Sequence, residues 1–92
     1  MKILVIEDSI RLADTIAEAL QNENYEVYTA HDGLTGYEHA STGIYDMIIL
    51  DLMLPKMNGY EVLSSLRKDG QNVPVLILSC LLYTSDAADD RI

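Results

Sequence analysis

Ninety-two residues, 49% of them apolar, are enough for one small domain with a core, and fifteen acids against six bases give a net charge of −9. That balance argues against direct nucleic-acid binding by this segment, which would need clustered Lys and Arg, and no apolar stretch is long enough to cross a membrane. The lone cysteine cannot form an internal disulfide, and "MKILVI" running into Glu7 and Asp8 is no secretory signal, so a cytoplasmic setting is expected.

In chain order, "ILVI" (residues 3–6) is a continuous apolar run, as in a strand covered on both faces. Ser9 can cap the next segment, where Leu12, Ala13, Ile16, Ala17 and Leu20 recur at helical spacing. "YEVYTA" (25–30) alternates and is rich in β-branched and aromatic residues, which predicts a second strand. After the turn "HDG", residues 34–40 form a short helix. "MIIL" (47–50) is a third buried strand, "PKMNG" breaks the chain, and Val62, Leu63 and Leu66 mark one face of a third helix before Gly70. Pro74 leads into a fourth strand, "VLIL" (75–78).

Strictly alternating strands and helices predict an α/β domain, a parallel sheet wound with helices on both faces. Ligands of such sheets bind beyond the carboxyl ends of the strands, near the point where the winding reverses. Three of the four strands end there in polar residues: Glu7 and Asp8 after the first, Asp51 after the third, Ser79 after the fourth. With strand order 2-1-3-4, Asp8 and Asp51 emerge side by side. Neighbouring carboxylates repel unless a cation joins them, and Mg²⁺ needs only one or two because it keeps several waters. An aspartate beside such an ion can also accept a phosphoryl group as an acyl phosphate. Helix capping is the commoner job for any one of these residues taken alone, but not for all of them at one end of the sheet.

"VIED", "IILDLMLPKMNGYEVL" and "VPVLILS" together resemble the receiver domain of bacterial two-component response regulators, over residues 1–79. The spacing of Asp51, Pro55 and Gly59 carries most of that likeness. The resemblance implies a flavodoxin-like doubly wound sheet and a signalling module rather than an enzyme. It implies Asp51 as the phosphoacceptor for a sensor histidine kinase, with Mg²⁺ held by Glu7, Asp8, Asp51 and the backbone carbonyl of Met53. Ser79 would be the switch hydroxyl that turns toward the phosphoryl group, and Arg11 and Leu12 would lie near the kinase-docking face. The style of the motifs is closest to the winged-helix DNA-binding class, which implies a homodimeric transcriptional regulator as the full-length parent, reaching DNA through another domain. His31 and His39 have no acid or cysteine at ligand spacing and are expected on the surface, Lys56 in solvated loop, and the tyrosines mostly as half-buried packing residues.

Residues 80–92 depart from the family. A receiver continues into a further helix, strand and helix, with a lysine closing the fifth strand, yet no lysine follows Lys68. The codons TGT CTC TTA TAC ACA TCT GAC GCT GCC GAC encode CLLYTSDAAD, and that DNA is similar to the adapter of tagmentation sequencing libraries; the similarity extends to Asp90. The expectation is a partial receiver over residues 1–79, lacking the last strand and helix, and a non-native tail over 80–92 in which Cys80 and the aspartates have no role. Such a chain would be prone to aggregate through its uncovered sheet edge. Two alternatives stay open at this point: a phosphorylation-independent interaction module of receiver architecture, and a truncated product with no function of its own.

Overall fold

The computed structural model describes residues 1–78; the expectations for Ser79 and for the tail over 80–92 lie outside the described residues. Seven elements alternate: β1 (Lys2–Ile6), α1 (Ile10–Gln21), β2 (Glu26–Ala30), α2 (Gly33–Ala40), β3 (Met47–Asp51), α3 (Gly59–Lys68) and β4 (Val75–Leu78). The strands pair in parallel in the order β2-β1-β3-β4, the flavodoxin-like arrangement. Each strand ends within one residue of its expected position. The one shift of consequence is at β3, where Asp51 is the last residue of the strand rather than the first beyond it.

Side chains alternate across a strand, and that period of two divides the core into two layers. Ile3 and Val5 of β1 join Ile49 and pack with Ala13, Ile16 and Leu20 of α1 on one face. Leu4 and Ile6 join Ile48 and Leu50 and pack with Ala40 of α2 and with Val62 and Leu66 of α3 on the other. Both faces of β1 and β3 are therefore sealed, which explains the unbroken apolar runs in the sequence. With α1 on one side and α2 and α3 on the other, the winding reverses between β1 and β3, beneath the acids.

The helices start on side-chain caps that satisfy their first amides. Ser9 accepts from the Leu12 amide at 3.2 Å, as expected, and Asp32 accepts from the Thr35 amide at 2.7 Å. Asn58 and Glu61 form a reciprocal capping box at the head of α3. The tyrosines correct the sequence reading in part. Tyr37 and Tyr45 are half-buried, but Tyr25, Tyr28 and Tyr60 are exposed. Tyr28 lies on an edge strand, where its ring meets Tyr45 edge-on at 5.8 Å and its hydroxyl donates to Glu26 instead of entering the core.

The head of α2 is pressed against the loop after β3. The Gly33 amide donates to the Pro55 carbonyl at 3.1 Å, and a Cβ at Gly33 would come within 1.5 Å of the Met57 carbonyl oxygen. That obstacle is backbone, so it cannot be relieved by a rotamer change. Gly33→Ala is expected to destabilise the fold by about 1–3 kcal/mol, the usual range for overpacking, read from the urea midpoint. An unchanged midpoint would contradict the close approach.

Candidate functional site

Parallel pairing of Ile6 with Leu50 sets the next residues, Glu7 and Asp51, beside each other at the carboxyl end of the sheet. Glu7 is 2% exposed and Asp51 5%, while Asp8 is exposed. One carboxylate oxygen from each of the three lies within 4.8 Å of the others. The sheet thus brings together the three acids that the sequence puts at its strand ends.

The surroundings hold the two buried carboxyl groups without neutralising them. Glu7 Oε2 accepts from the Ser9 amide at 2.9 Å, and Asp51 Oδ1 accepts from the Met53 amide at 3.2 Å. Glu7 Oε1 is buried with no hydrogen-bond partner among the described residues. A buried carboxylate oxygen without a donor is costly, and the cost falls on the ionised form. Burial accordingly pushes the Glu7 carboxyl up from 4.5 to about 7; the Ser9 amide opposes this, and the Asp51 charge adds to it. Three carboxylates, one of which has an orphaned oxygen, suit a hard divalent cation of the Mg²⁺ or Ca²⁺ type and fit no soft metal.

The β3–α3 loop brings backbone to the same place. Gly59 donates its amide to the Leu52 carbonyl at 3.0 Å, and a Cβ there would lie 2.3 Å from the Asp51 carbonyl oxygen, so α3 can begin beside Asp51 only with glycine at that position. Lys56, exposed as expected, sits in the left-handed region at φ +68°. The Met53 side chain is 62% exposed at the rim of the site. An open groove of about 570 Å³ lies farther along, between Leu34 and the Met57–Tyr60–Glu61 stretch, and includes none of the three acids. The three acids therefore lie outside that groove.

His31 was missed. Expected as a surface residue, it is half-buried, with Nδ1 3.0 Å from the Glu7 carbonyl oxygen. The signal was available in principle, because His31 follows β2 at the level where Glu7 follows β1. His39 is exposed, as expected.

Comparison with known proteins gives a consistent result. The family model "Response regulator receiver domain" matches residues 3–89. The probable transcriptional regulatory protein SilR of Salmonella typhimurium is 43% identical over 81 residues, which is 88% of this chain and 36% of that protein. The chain spans little more than a third of the length of the curated relatives it matches. Among solved structures, the receiver domain of Francisella response regulator 1452 is similar with a TM-score of 0.84 at 34% identity, covering 88% of this chain and 67% of that one. Response regulator TrrA of Thermotoga maritima, solved in complex with Mg²⁺ and BeF, is similar with a TM-score of 0.83 at 30% identity, covering 94% of this chain and 75% of that one. No helix among the described residues is long and apolar enough to cross a membrane.

The raised Glu7 value has a definite sign for stability. In the folded state the carboxyl holds its proton up to about 7, against 4.5 as its ordinary value, so the folded state binds more protons across that window. With a chelator present, stability owed to Glu7 is intact below the lower value and is lost as pH rises toward the upper one. Glu7→Gln removes this loss. Its stability relative to wild type is expected to rise between about pH 5 and pH 8, measured as urea midpoints of both proteins. A difference that does not change with pH would refute the assignment.

Proposed function

The chain belongs to the response regulator receiver domain family, and on that premise we propose that it is a phosphoacceptor module, taking a phosphoryl group on Asp51 from a phosphohistidine of a sensor histidine kinase. The observation that carries this reading is Asp51 itself, the buried carboxylate closing β3 with two further carboxylates within reach. Glu7, Asp8 and Asp51 would hold Mg²⁺ together with the Met53 carbonyl. When bound, the ion supplies charge neutralisation that lets an anionic phosphoryl group approach three carboxylates.

Each residue then has a physical task. An Asp51 carboxylate oxygen attacks phosphorus in line; the P–O bond forms, the P–N bond breaks, and the imidazole of the donor leaves with the bonding pair. Since the donor is already activated, the site needs positioning and electrostatics more than an acid or base. The Met53 amide orients the Asp51 carboxylate through Oδ1. Ser79 is proposed as the hydroxyl that meets the phosphoryl group. Arg11 and Leu12 line a shallow groove with Ser9 and Thr15 at the start of α1, a position that suits contact with the kinase. For the whole protein we propose transcriptional regulation, on the strength of relatives such as the probable transcriptional regulatory protein SilR, and propose with it a cytoplasmic homodimer.

Incubation of the protein with Mg²⁺ and acetyl phosphate is expected to label Asp51. The label should vanish in Asp51→Asn and fall by at least about 100-fold when EDTA replaces Mg²⁺, the order of effect of losing a major electrostatic stabiliser. Intact mass before and after hydroxylamine, which cleaves acyl phosphates, reads the result. Failure of the wild type to take up label from acetyl phosphate or any kinase refutes the proposal and favours a phosphorylation-independent interaction module.

A further inference from the structure

The backbone of Glu7 is held by two bonds from the neighbouring strand, and only one of them comes from backbone. The Glu7 amide donates to the Ala30 carbonyl at 2.9 Å, continuing the parallel ladder of β1 and β2 past its last paired residues. The next rung of such a ladder would run from the Asp32 amide to the Glu7 carbonyl. Asp32 has instead left the sheet to cap α2, its side chain accepting from the Thr35 amide and its carbonyl from the Gly36 amide. The donor to the Glu7 carbonyl is His31 Nδ1, at 3.0 Å. A carbonyl oxygen only accepts, so Nδ1 carries the proton.

That carbonyl belongs to the peptide unit joining Glu7 to Asp8. The unit is planar, so a bond to its oxygen fixes the orientation of the whole unit. It therefore bears on the direction in which both the buried Glu7 carboxylate and the exposed Asp8 carboxylate leave the backbone. Both are among the three oxygen donors gathered within 4.8 Å. We propose that His31 is a positioning residue of the cation site: its Nδ1–H bond locks the Glu7–Asp8 peptide so that the two carboxylates converge with Asp51. This rests on the cation reading given above.

The test uses Mn²⁺ as the probe, titrated by electron paramagnetic resonance into wild type, His31→Leu, His31→Asn and Asp8→Asn. Leucine keeps bulk without a donor, whereas the asparagine amide nitrogen occupies nearly the position of Nδ1. His31→Leu is expected to weaken Mn²⁺ binding about tenfold, the low end of effects for residues that orient ligands, and His31→Asn to restore most of it. Equal affinity in wild type and His31→Leu overturns the proposal, as does an asparagine variant no better than the leucine one. Wild type that binds no Mn²⁺, or an Asp8→Asn variant that binds as well as wild type, overturns the cation reading and this proposal with it. Should the leucine variant fail to fold, the imidazole tautomer of wild type at pH 8, read from ¹H–¹⁵N correlations, decides separately. A proton on Nδ1 is expected, and one on Nε2 alone overturns the proposal.

Discussion

Glu7 and Asp51 are buried side by side at the carboxyl end of two adjacent parallel strands, and the electrostatic cost of that placement organises the structure around them. Two carboxyl groups out of water need donors, and the fold supplies some through backbone: the Ser9 amide to Glu7, the Met53 amide to Asp51. Among the described residues it leaves Glu7 Oε1 with none. A shortage of donors at a site already crowded with negative charge is a standing preference for something positive, whether a proton on Glu7 or a cation shared by the three acids. The preference is built from topology. Because the winding reverses between β1 and β3, no helix among the described residues covers the cleft above these two strand ends, and the residues that follow them meet there.

The elements and the acids were legible in the sequence because each has a local signal. Continuous apolar runs marked β1 and β3 as strands sealed on both faces, and a serine before an amphipathic stretch marked the start of α1; the like run of β4 misled, because no residue of β4 is fully buried and Leu76 is exposed. The site residues were legible because Glu7, Asp8 and Asp51 each follow or close such a run. What the sequence did not yield are contacts between segments far apart in the chain. Nothing local to His31 announces that it faces the Glu7 carbonyl, since the two meet only through the pairing of β1 with β2. The Gly33–Pro55 bond joins the head of α2 to the loop after β3 in the same way, and "HDG" alone reads as an ordinary turn. Tyr28 misled for the opposite reason. Its alternating context signals a strand but not that the strand is at the edge, where one side chain in two can face water.

The acid cluster stands apart from the open groove near Leu34. Small-molecule enzymes commonly surround their substrate with apolar walls and a few convergent polar groups. Here the acids stand at the rim of a sheet, with Met53 exposed beside them. On the proposed reading, the cluster would take an ion and a small charged group and leave the choice of donor to the surface around it. A receiver that takes its phosphoryl group from another protein has this division of labour, with charge handled at the centre and identity at the periphery.

The same geometry indicates how a change at Asp51 would be felt elsewhere. The loop from Leu52 to Asn58 is pinned at three points: the Met53 amide on Asp51 Oδ1, the Pro55 carbonyl on the Gly33 amide, and Gly59 against the Asp51 backbone. Between the second and third pins, Lys56 is held at φ +68°, a conformation costing a non-glycine residue about 1 kcal/mol or more. Esterifying a carboxylate makes it a poorer acceptor, so an acyl phosphate at Asp51 would loosen the first pin while the other two remain. The remaining pins are backbone contacts to the head of α2 and the head of α3, elements that pack on the same face of the sheet. Under the proposed phosphorylation, a shift of the loop would bear first on those two helix ends. A short, strained and doubly anchored loop transmits a change of charge better than a long, loose one would.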